Sequence, residues 1–166
     1  VNFGRLQSQR SNHIICLNAF VEMCLVLAKQ SNCPRRKFGA LLVDPNRNTI
    51  IATGYNGAPR GGGALCGGTF CEREHAGLPS GVSVEKGCHH AEVNAICNAA
   101  ANGTATAGAW LIVNGEPCLM CAKVLHHAGV TKVIVVEGGY VGVNGCGYLV
   151  HHGVEVERVA GPQDER

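Results

Sequence analysis

The chain has 166 residues, of which 46% are hydrophobic and 16% are charged, which is enough sequence for one domain with a buried core. Its 14 Lys and Arg residues nearly balance its 12 Asp and Glu residues, so the formal net charge is only +2. This small charge argues against a protein that coats nucleic acid or an anionic membrane without specificity. Residues 1–83 hold nine basic and four acidic side chains, whereas residues 84–166 hold five and eight. We therefore expect an anionic ligand to bind the first half.

No apolar run approaches the roughly 20 residues that a membrane-spanning helix needs, and residues 1–10 lack the apolar centre of a signal peptide. We expect a soluble, cytoplasmic protein that forms a single domain over residues 1–166, with flexible ends at 1–10 and 161–166. Ten cysteines in a reducing compartment favour metal binding or burial over disulfide bonds.

The first half of the chain begins with apolar residues at helical spacing, which predict a helix over residues 12–30. Two β-prone runs, 38–43 and 49–55, flank the turn-rich residues 44–48 and predict a β-hairpin. The next segment, residues 56–88, contains nine glycines and shows no periodicity. A segment of this length is uncommon in a compact domain unless it is functional or cross-linked.

The second half alternates between helical and strand patterns. It predicts helices over 90–101, 118–128 and, more weakly, 145–152, and strands over 109–114, 131–136 and 154–159. This order predicts an α/β fold whose sheet is partly parallel and carries helices on both faces.

Two motifs begin two of these helices and carry groups that bind metal. His90-Ala91-Glu92 begins one helix, and Pro117-Cys118-Leu119-Met120-Cys121 begins the next. One imidazole and two thiolates can converge on one ion, and three protein ligands leave the fourth tetrahedral position for water, as in a catalytic zinc site. Glu92 is too close in sequence to His90 to bind the same ion, so we expect it to move protons beside that water.

The combination of motifs is much more specific than either part. Cys-x-x-Cys alone also fits a redox site or a structural zinc, whereas His-x-Glu followed by Pro-Cys-x-x-Cys matches zinc-dependent nucleobase deaminases. Over residues 12–160 the chain resembles the cytidine and deoxycytidylate deaminase superfamily, and most of all its dCMP deaminases. The resemblance implies a three-layer fold with a central mixed five-stranded sheet.

Gly54-Tyr55-Asn56-Gly57-Ala58-Pro59 selects among substrates within this superfamily, because it resembles the dCMP deaminase substrate motif. Taken alone, it would also fit a plain Asn-Gly turn after a strand. The Asn56 amide can donate to and accept from a sugar hydroxyl. The resemblance implies that substrate is bound by Asn56, Tyr55, Gly57, Ala58, Ala91, Glu116, Arg36 and Tyr140.

Two of these assignments have alternatives. Arg36 lies in the basic stretch that leads into the first strand, where its charge would attract a phosphate, although a solvated basic turn explains it equally well. Tyr140 would replace an aromatic residue that relatives place beside the base, with a shift of one position.

The resemblance also implies a second, structural zinc. Its ligands would be the four cysteines that surround the long glycine-rich segment, namely Cys33, Cys66, Cys71 and Cys88. His75 or His89 could replace one thiolate, and free buried cysteines are the alternative. We expect Cys16, Cys24 and Cys97, which fall in apolar helical patterns, to be buried.

The function that the resemblance implies is zinc-dependent hydrolysis of dCMP to dUMP and ammonia, which feeds thymidylate synthesis. It further implies a homo-oligomer, as in the family's hexamers, that dCTP activates and dTTP inhibits. A polynucleotide substrate is not expected, since aromatic residues make up only 5% of the chain. The alternatives are a deaminase of cytidine, guanine or tRNA adenosine, and a non-catalytic binding module that zinc stabilises.

Overall fold

The structure is a computed structural model that describes residues 17–58, 66–67, 69–79, 82, 86–140 and 144–162. Its elements in chain order are α1 (17–29), β1 (Gly39–Asp44), β2 (Thr49–Tyr55), β3 (Cys66–Gly67), β4 (Phe70–Cys71), α2 (Glu72–His75), α3 (Ala91–Ala101), β5 (Trp110–Gly115), α4 (Leu119–His127), β6 (Lys132–Tyr140), α5 (Gly145–His151) and β7 (Glu155–Val159). None of the helices in these ranges has the length and apolar character needed to span a bilayer.

Five strands form one mixed sheet in the order β2-β1-β5-β6-β7. The hairpin β1–β2 is antiparallel, and β1 also pairs antiparallel with β5. The pairs β5–β6 and β6–β7 are parallel, with α4 and α5 as their connections. The predicted α/β fold with a mixed five-stranded sheet is confirmed.

The core lies on both faces of the sheet, because successive side chains of a strand point to opposite sides. On one face, Leu42, Leu111 and Val133 pack against small residues of α3 and against α4 and α5. On the other face, Leu41 and Ile112 pack against α1. Both faces of β1 are therefore buried, and the sheet forms the middle layer of three.

The long segment between β2 and α3 contains structure that the sequence did not predict, namely the two-residue strands β3 and β4 and the single turn α2. Such short elements are below the length at which periodicity can be detected. Arg73 of α2 organises the next stretch by donating to the carbonyl oxygens of Pro79 (3.4 Å), Val82 (2.5 Å) and Lys86 (3.2 Å).

The remaining element boundaries agree with prediction to within a few residues, with one exception. Strand β6 continues to Tyr140 instead of ending at residue 136, because Tyr140 still pairs with Gly115 of β5 beyond a register shift. Cys97 is exposed on the outer side of α3, so the prediction that it is buried was wrong, whereas Cys24 is buried as predicted. Residues 12–16, which include Cys16, lie outside the described residues.

Helix α3 approaches β2 so closely that only glycine fits at Gly54. A Cβ atom there would overlap the carbonyl oxygen of Ala91 and lie 2.5 Å from the amide nitrogen of Ala95. On either side of this contact, the Asn94 and Asn98 side chains donate to the carbonyl oxygens of Tyr55 (2.8 Å) and Thr53 (2.7 Å). The N-terminus of α3 is therefore fixed against the end of β2.

We expect Gly54→Ala to reduce the free energy of unfolding by at least about 1–3 kcal/mol, because the added methyl group forces α3 away from the sheet. Chemical denaturation of the purified variant measures this change. Gly147→Ala is the matched control, since a Cβ at Gly147 in α5 meets no atom within 4 Å and alanine favours a helix. Equal stability of the Gly54 variant and the wild type would contradict the packing argument.

Candidate metal centre and active site

The two motif-bearing segments meet at one edge of the sheet, where β2 and β5 end. His90 is the N-cap residue of α3, and Cys118 is the N-cap residue of α4. An N-cap side chain stands at the open end of its helix, next to the unpaired amide groups of the first turn. Both helices therefore present a potential metal ligand at their positive ends.

His90, Cys118 and Cys121 lie together with a spacing that suits one ion. The Nδ1 atom of His90 is 3.2 Å from Sγ of Cys121 and 3.5 Å from Sγ of Cys118. All three ligand atoms lie within 4.8 Å of one another, and among the described residues no other group of three His, Cys, Asp or Glu side chains does so. The structure thus brings together the three residues that the sequence predicts as ligands.

Cys118 has the environment of a thiolate. Its pKa is lowered to about 4, first because the Cys121 thiol donates a hydrogen bond to it and then, against the opposing effect of burial, because His90 does so as well. The Cys121 amide also donates to its sulfur, at 3.5 Å. The same thiol-to-thiolate hydrogen bond raises the pKa of Cys121, so this pair retains one proton.

Glu92 lies beside this cluster and is almost fully buried, with 6% of its surface exposed. Burial raises the pKa of its carboxyl group, and the nearby His90 opposes that rise. The Cys121 thiol is within hydrogen-bonding reach of the carboxylate. A buried acid with a raised pKa next to a possible metal site has the properties of a proton-transferring group.

The donor set fits zinc. One histidine nitrogen and two cysteine sulfurs are ligands that zinc prefers, and three protein ligands leave a coordination position for a substrate or water. Nδ1 is the histidine nitrogen that would bind the ion, since it already faces both sulfurs.

The Gly54–Ala58 run reaches the centre through an isolated β-bridge. Gly57 and His89 exchange two backbone hydrogen bonds, at 3.2 and 2.9 Å, so this run is one residue from the ligand His90. Tyr55 is exposed, and Ala91 is fully buried at the start of α3. Gly57 and Ala91 are therefore close neighbours of the ligand His90, the first through the bridge to His89 and the second along the chain.

Asn56 is buried, with 4% of its surface exposed, and its side chain bonds to the chain that enters β1. Its Oδ1 atom accepts from the Phe38 amide (2.8 Å), and its Nδ2 atom donates to the Arg36 carbonyl oxygen (2.9 Å) and approaches Cys88 Sγ at 4.0 Å. The predicted contact of Asn56 with a sugar hydroxyl must therefore share the amide with these backbone groups.

The three cations of the basic segment differ in environment. Arg35 is 3.5 Å from Glu74 and its side chain is 19% exposed, whereas Arg36 and Lys37 are exposed. The backbone from Arg36 to Gly39 bonds alternately to Asn56 and Asn114, as an extended strand does, and Phe38 packs on the face of the sheet that carries α3 and α4. Alternation along an extended chain places Arg36 on the same face.

Glu116 and Pro117, at the start of the metal-binding loop, each contact a segment that is distant along the chain. The Oε1 atom of Glu116 accepts from the Arg158 guanidinium of β7 at 2.5 Å. Gly145, the first residue of α5, is packed so tightly on the Pro117 carbonyl oxygen that a Cβ atom would overlap it. Neither contact is visible in the sequence, because both join segments that are distant along the chain.

Three of the four cysteines predicted to bind a second metal are grouped. Cys33 and Cys71 are buried in contact with each other, and Cys88 packs against them. Cys66 stands opposite Cys71 in the β3–β4 ladder, although its side chain lies outside the described residues, as does that of Tyr140.

The sequence analysis did not single out Asn114, whose side chain bonds to the backbone of Gly39 and Lys37. The signal that could have found it is a polar residue near the end of a buried strand.

A family model described as the cytidine and deoxycytidylate deaminase zinc-binding region matches residues 15–137. The chain belongs to this family. The match covers α1 through most of β6, so it includes both segments of the metal centre of this deaminase-family chain.

Named relatives are similar over most of the chain. The deoxycytidylate deaminase of Schizosaccharomyces pombe is 32% identical over 146 residues, which cover 87% of this chain and 44% of that protein. The deoxycytidylate deaminase of Mycobacterium phage D29 is 34% identical over 121 residues, or 69% of this chain and 89% of that protein. This chain therefore spans less than half the length of the yeast relative and most of the length of the phage relative.

A solved structure has the same fold. The dCMP deaminase of cyanophage S-TIM5, solved in complex with dCMP and dUMP, superposes with a TM-score of 0.69 at 29% identity and covers 85% of this chain and 94% of that one.

We expect Cys118→Ser to lose zinc from the deaminase-family centre, because a neutral hydroxyl is a far weaker ligand than a thiolate. Elemental analysis of the purified variant measures the loss as about one zinc per chain relative to the wild type. Cys97→Ser is the matched control, since Cys97 is exposed on α3 and is not part of the group. Full zinc content in the Cys118 variant would exclude it as a ligand.

Proposed function

We propose that this chain hydrolyses dCMP to dUMP and ammonia. The observation that carries the proposal is the pairing of a His-Cys-Cys ligand group with the buried Glu92, reached by the Gly54–Ala58 run. Relatives named deoxycytidylate deaminases and a similar structure solved with dCMP and dUMP support the choice of substrate.

His90, Cys118 and Cys121 hold the zinc ion. When bound, zinc is a Lewis acid that makes water a stronger acid near neutral pH. Glu92 accepts one proton from the attacking water and donates it to ring N3 while C4 is attacked, and it then transfers the second proton to the departing amine. One water is consumed, the C4–N bond breaks, and ammonia leaves, so the atoms balance.

The base and sugar meet the segments that surround this centre. The Ala91 amide and the Glu116 backbone orient the pyrimidine, and Tyr140 contacts its ring. Tyr55, Asn56, Gly57 and Ala58 contact the sugar. The two Nδ2 hydrogens of Asn56 face the Arg36 carbonyl oxygen and Cys88 Sγ, so the remaining capacity of its amide is one Oδ1 lone pair, which suffices to accept from one hydroxyl.

The phosphate meets the basic segment 35–37, and Arg36 is the cation that alternation places on the face of the metal centre. A guanidinium binds a phosphate through two parallel hydrogen bonds, which gives both charge and orientation. The excess of basic residues in the first half of the chain supports a phosphate at this place.

The alternatives are a related base deaminase and a binding module without activity. Cytidine and guanine carry no phosphate, so neither substrate has an anionic group for the basic segment 35–37 to bind. A binding module would not need Glu92 as a buried carboxyl at the centre, since burying it without a role costs free energy.

Ammonia release from dCMP, deoxycytidine, cytidine and guanine tests the proposal. We expect dCMP to be preferred over deoxycytidine by at least about two orders of magnitude in kcat/KM, because a site built for a phosphate leaves charged groups unpaired without it. Arg36→Ala should reduce this preference. Better turnover of cytidine or guanine than of dCMP would refute the nucleotide assignment.

Glu92→Gln is the companion variant, in which the amide keeps the size of the side chain but cannot transfer protons. We expect it to retain zinc and to lose turnover of dCMP by several orders of magnitude. Activity close to that of the wild type would remove Glu92 from the mechanism, and no ammonia from any substrate with the wild type would favour the binding module.

We further propose a second, structural zinc held by Cys33, Cys66, Cys71 and Cys88. The grouping of three of these cysteines and the register that sets Cys66 opposite Cys71 support it. The proposal uses the cysteines rather than His75 or His89, because Cys33, Cys71 and Cys88 already lie in contact. The ion would tie β3 and β4 to the end of α1 and to His90.

We expect two zinc ions per chain by elemental analysis, and one after Cys71→Ser. The thiol at position 71 is buried within the group, so its loss removes a ligand without altering the surface. The Cys97→Ser variant again serves as the control and should keep both ions. One zinc in the wild type, purified without chelators, would contradict the second site.

The oligomeric state and regulation belong to the same proposal. Exposed apolar side chains at Val26 (56%), Met120 (59%) and Val150 (61%) support self-association, which the family resemblance makes a hexamer. We expect sedimentation at micromolar concentration to show an assembly, with activation by dCTP and inhibition by dTTP in the ammonia assay. A monomer with no response to either nucleotide would contradict this part.

A further inference from the structure

Two asparagine side chains hold the chain that enters β1 from opposite sides. Asn56, at the end of β2, bonds to the Phe38 amide and the Arg36 carbonyl oxygen, as described above. Asn114, in the last part of β5, accepts from the Gly39 amide at 2.8 Å through Oδ1 and donates to the Lys37 carbonyl oxygen at 3.1 Å through Nδ2. Each amide therefore satisfies one donor and one acceptor of the segment.

These four side-chain hydrogen bonds take the place of backbone pairing next to the start of β1, where the β-ladders of β1 end. The β1–β5 pairing stops at Ala40 and Val113, and the register of β5 shifts between Val113 and Gly115. Beyond this point the backbone groups of residues 36–39 bond alternately to the two sides, as they do in a strand, and the backbone of β5 no longer pairs with them. The Asn114 amide continues the pairing for one more step on that side.

The segment held in this way lies between the two loops of the active site. On one side it touches Asn56, which precedes the Gly57–His89 bridge, and on the other it touches the strand that leads to Cys118. It also carries the cations proposed to meet the phosphate. The position of the phosphate relative to the metal centre is therefore set through these backbone hydrogen bonds.

We infer that Asn114 is a positioning residue for the nucleotide phosphate: it acts through the backbone of residues 37–39 to hold the basic segment at a fixed distance from the metal centre. This inference rests on the proposed function. Asn56 makes the equivalent bonds but is also proposed to touch the sugar, so only Asn114 separates positioning from direct contact.

Substitutions of Asn114 test this role, because among the described residues its side chain bonds only to the Gly39 amide and the Lys37 carbonyl oxygen. Asn114→Ala removes both, and Asn114→Asp keeps the acceptor for the Gly39 amide while it turns a second acceptor toward the Lys37 carbonyl oxygen. For dCMP we expect Asn114→Ala to raise KM roughly 10-fold and to leave kcat within about twofold, since the metal centre is unchanged. Asn114→Asp should raise KM at least as much, because its second carboxylate oxygen opposes the Lys37 carbonyl oxygen and its negative charge repels the phosphate.

The decisive comparison uses deoxycytidine, which lacks the phosphate. The variants should lose kcat/KM for dCMP while they retain it for deoxycytidine, so the ratio of the two falls. Asn98→Ala is the matched control: it removes an amide bond to a backbone carbonyl of similar length, 2.7 Å, at a place remote from residues 36–39. It should leave the ratio unchanged even if it lowers the melting temperature.

Each outcome of this comparison supports or overturns the positioning role of Asn114. An equal loss for both substrates, together with lower stability or zinc content, would show a structural role only and overturn the inference, as would unchanged kinetics. If Asn114→Ala does not fold, Asn114→Ser provides the same comparison, since its hydroxyl is too short to keep both bonds and adds no charge beside the phosphate. A wild-type protein that does not prefer dCMP over deoxycytidine would instead refute the phosphate assignment in the proposed function, which is a separate outcome.

Discussion

The metal centre depends on how closely backbone can approach backbone at one edge of the sheet. Its two halves, the start of α3 and the loop before α4, come from segments 28 positions apart, and each is fixed at a contact that excludes a Cβ atom. The absence of a side chain at Gly54 lets the first turn of α3 pack directly on β2. The absence of one at Gly145 lets the start of α5 pack on the Pro117 carbonyl oxygen. A metal site requires ligand positions held to a fraction of an ångström, and contacts between backbone atoms give that rigidity because they have no rotamers.

Hydrogen bonding at the same edge sets the second requirement. Strands that diverge to form a site leave backbone donors and acceptors unpaired, and each one buried without a partner costs free energy. The chain solves this with asparagine, whose amide presents a donor and an acceptor side by side, as a peptide does. Asn56 and Asn114 serve the entry to β1, while Asn94 and Asn98 cover carbonyl oxygens of the edge strand β2.

The sequence predicted the parts of this design that are local. The ligands His90, Cys118 and Cys121, the acid Glu92 and the order of the long elements follow from motif spacing and periodicity. Contacts between distant segments leave no pattern in the sequence, because they depend on how the strands and helices pack. Examples are the Glu116–Arg158 ion pair, the Asn114 hydrogen bonds and the close packing of Gly145 on Pro117. The Gly54–Ala58 run was interpreted as a substrate motif, and the structure adds that its first glycine is required for helix packing.

The charges of the centre explain why such rigidity is useful. Cys118, Cys121 and Glu92 are three acids in contact with one histidine, and three negative charges so close together cannot all form without a cation. Accordingly the pKa of Cys118 is lowered while those of Cys121 and Glu92 are raised, so ionisation is favoured at Cys118 and opposed at the other two acids. A divalent cation among the ligand atoms would favour both thiolates and release the Cys121 proton, and the buried Glu92, which is not a ligand, would then be the one group left to exchange protons with a substrate. The same local crowding thus separates the groups that bind the metal from the group that moves the proton.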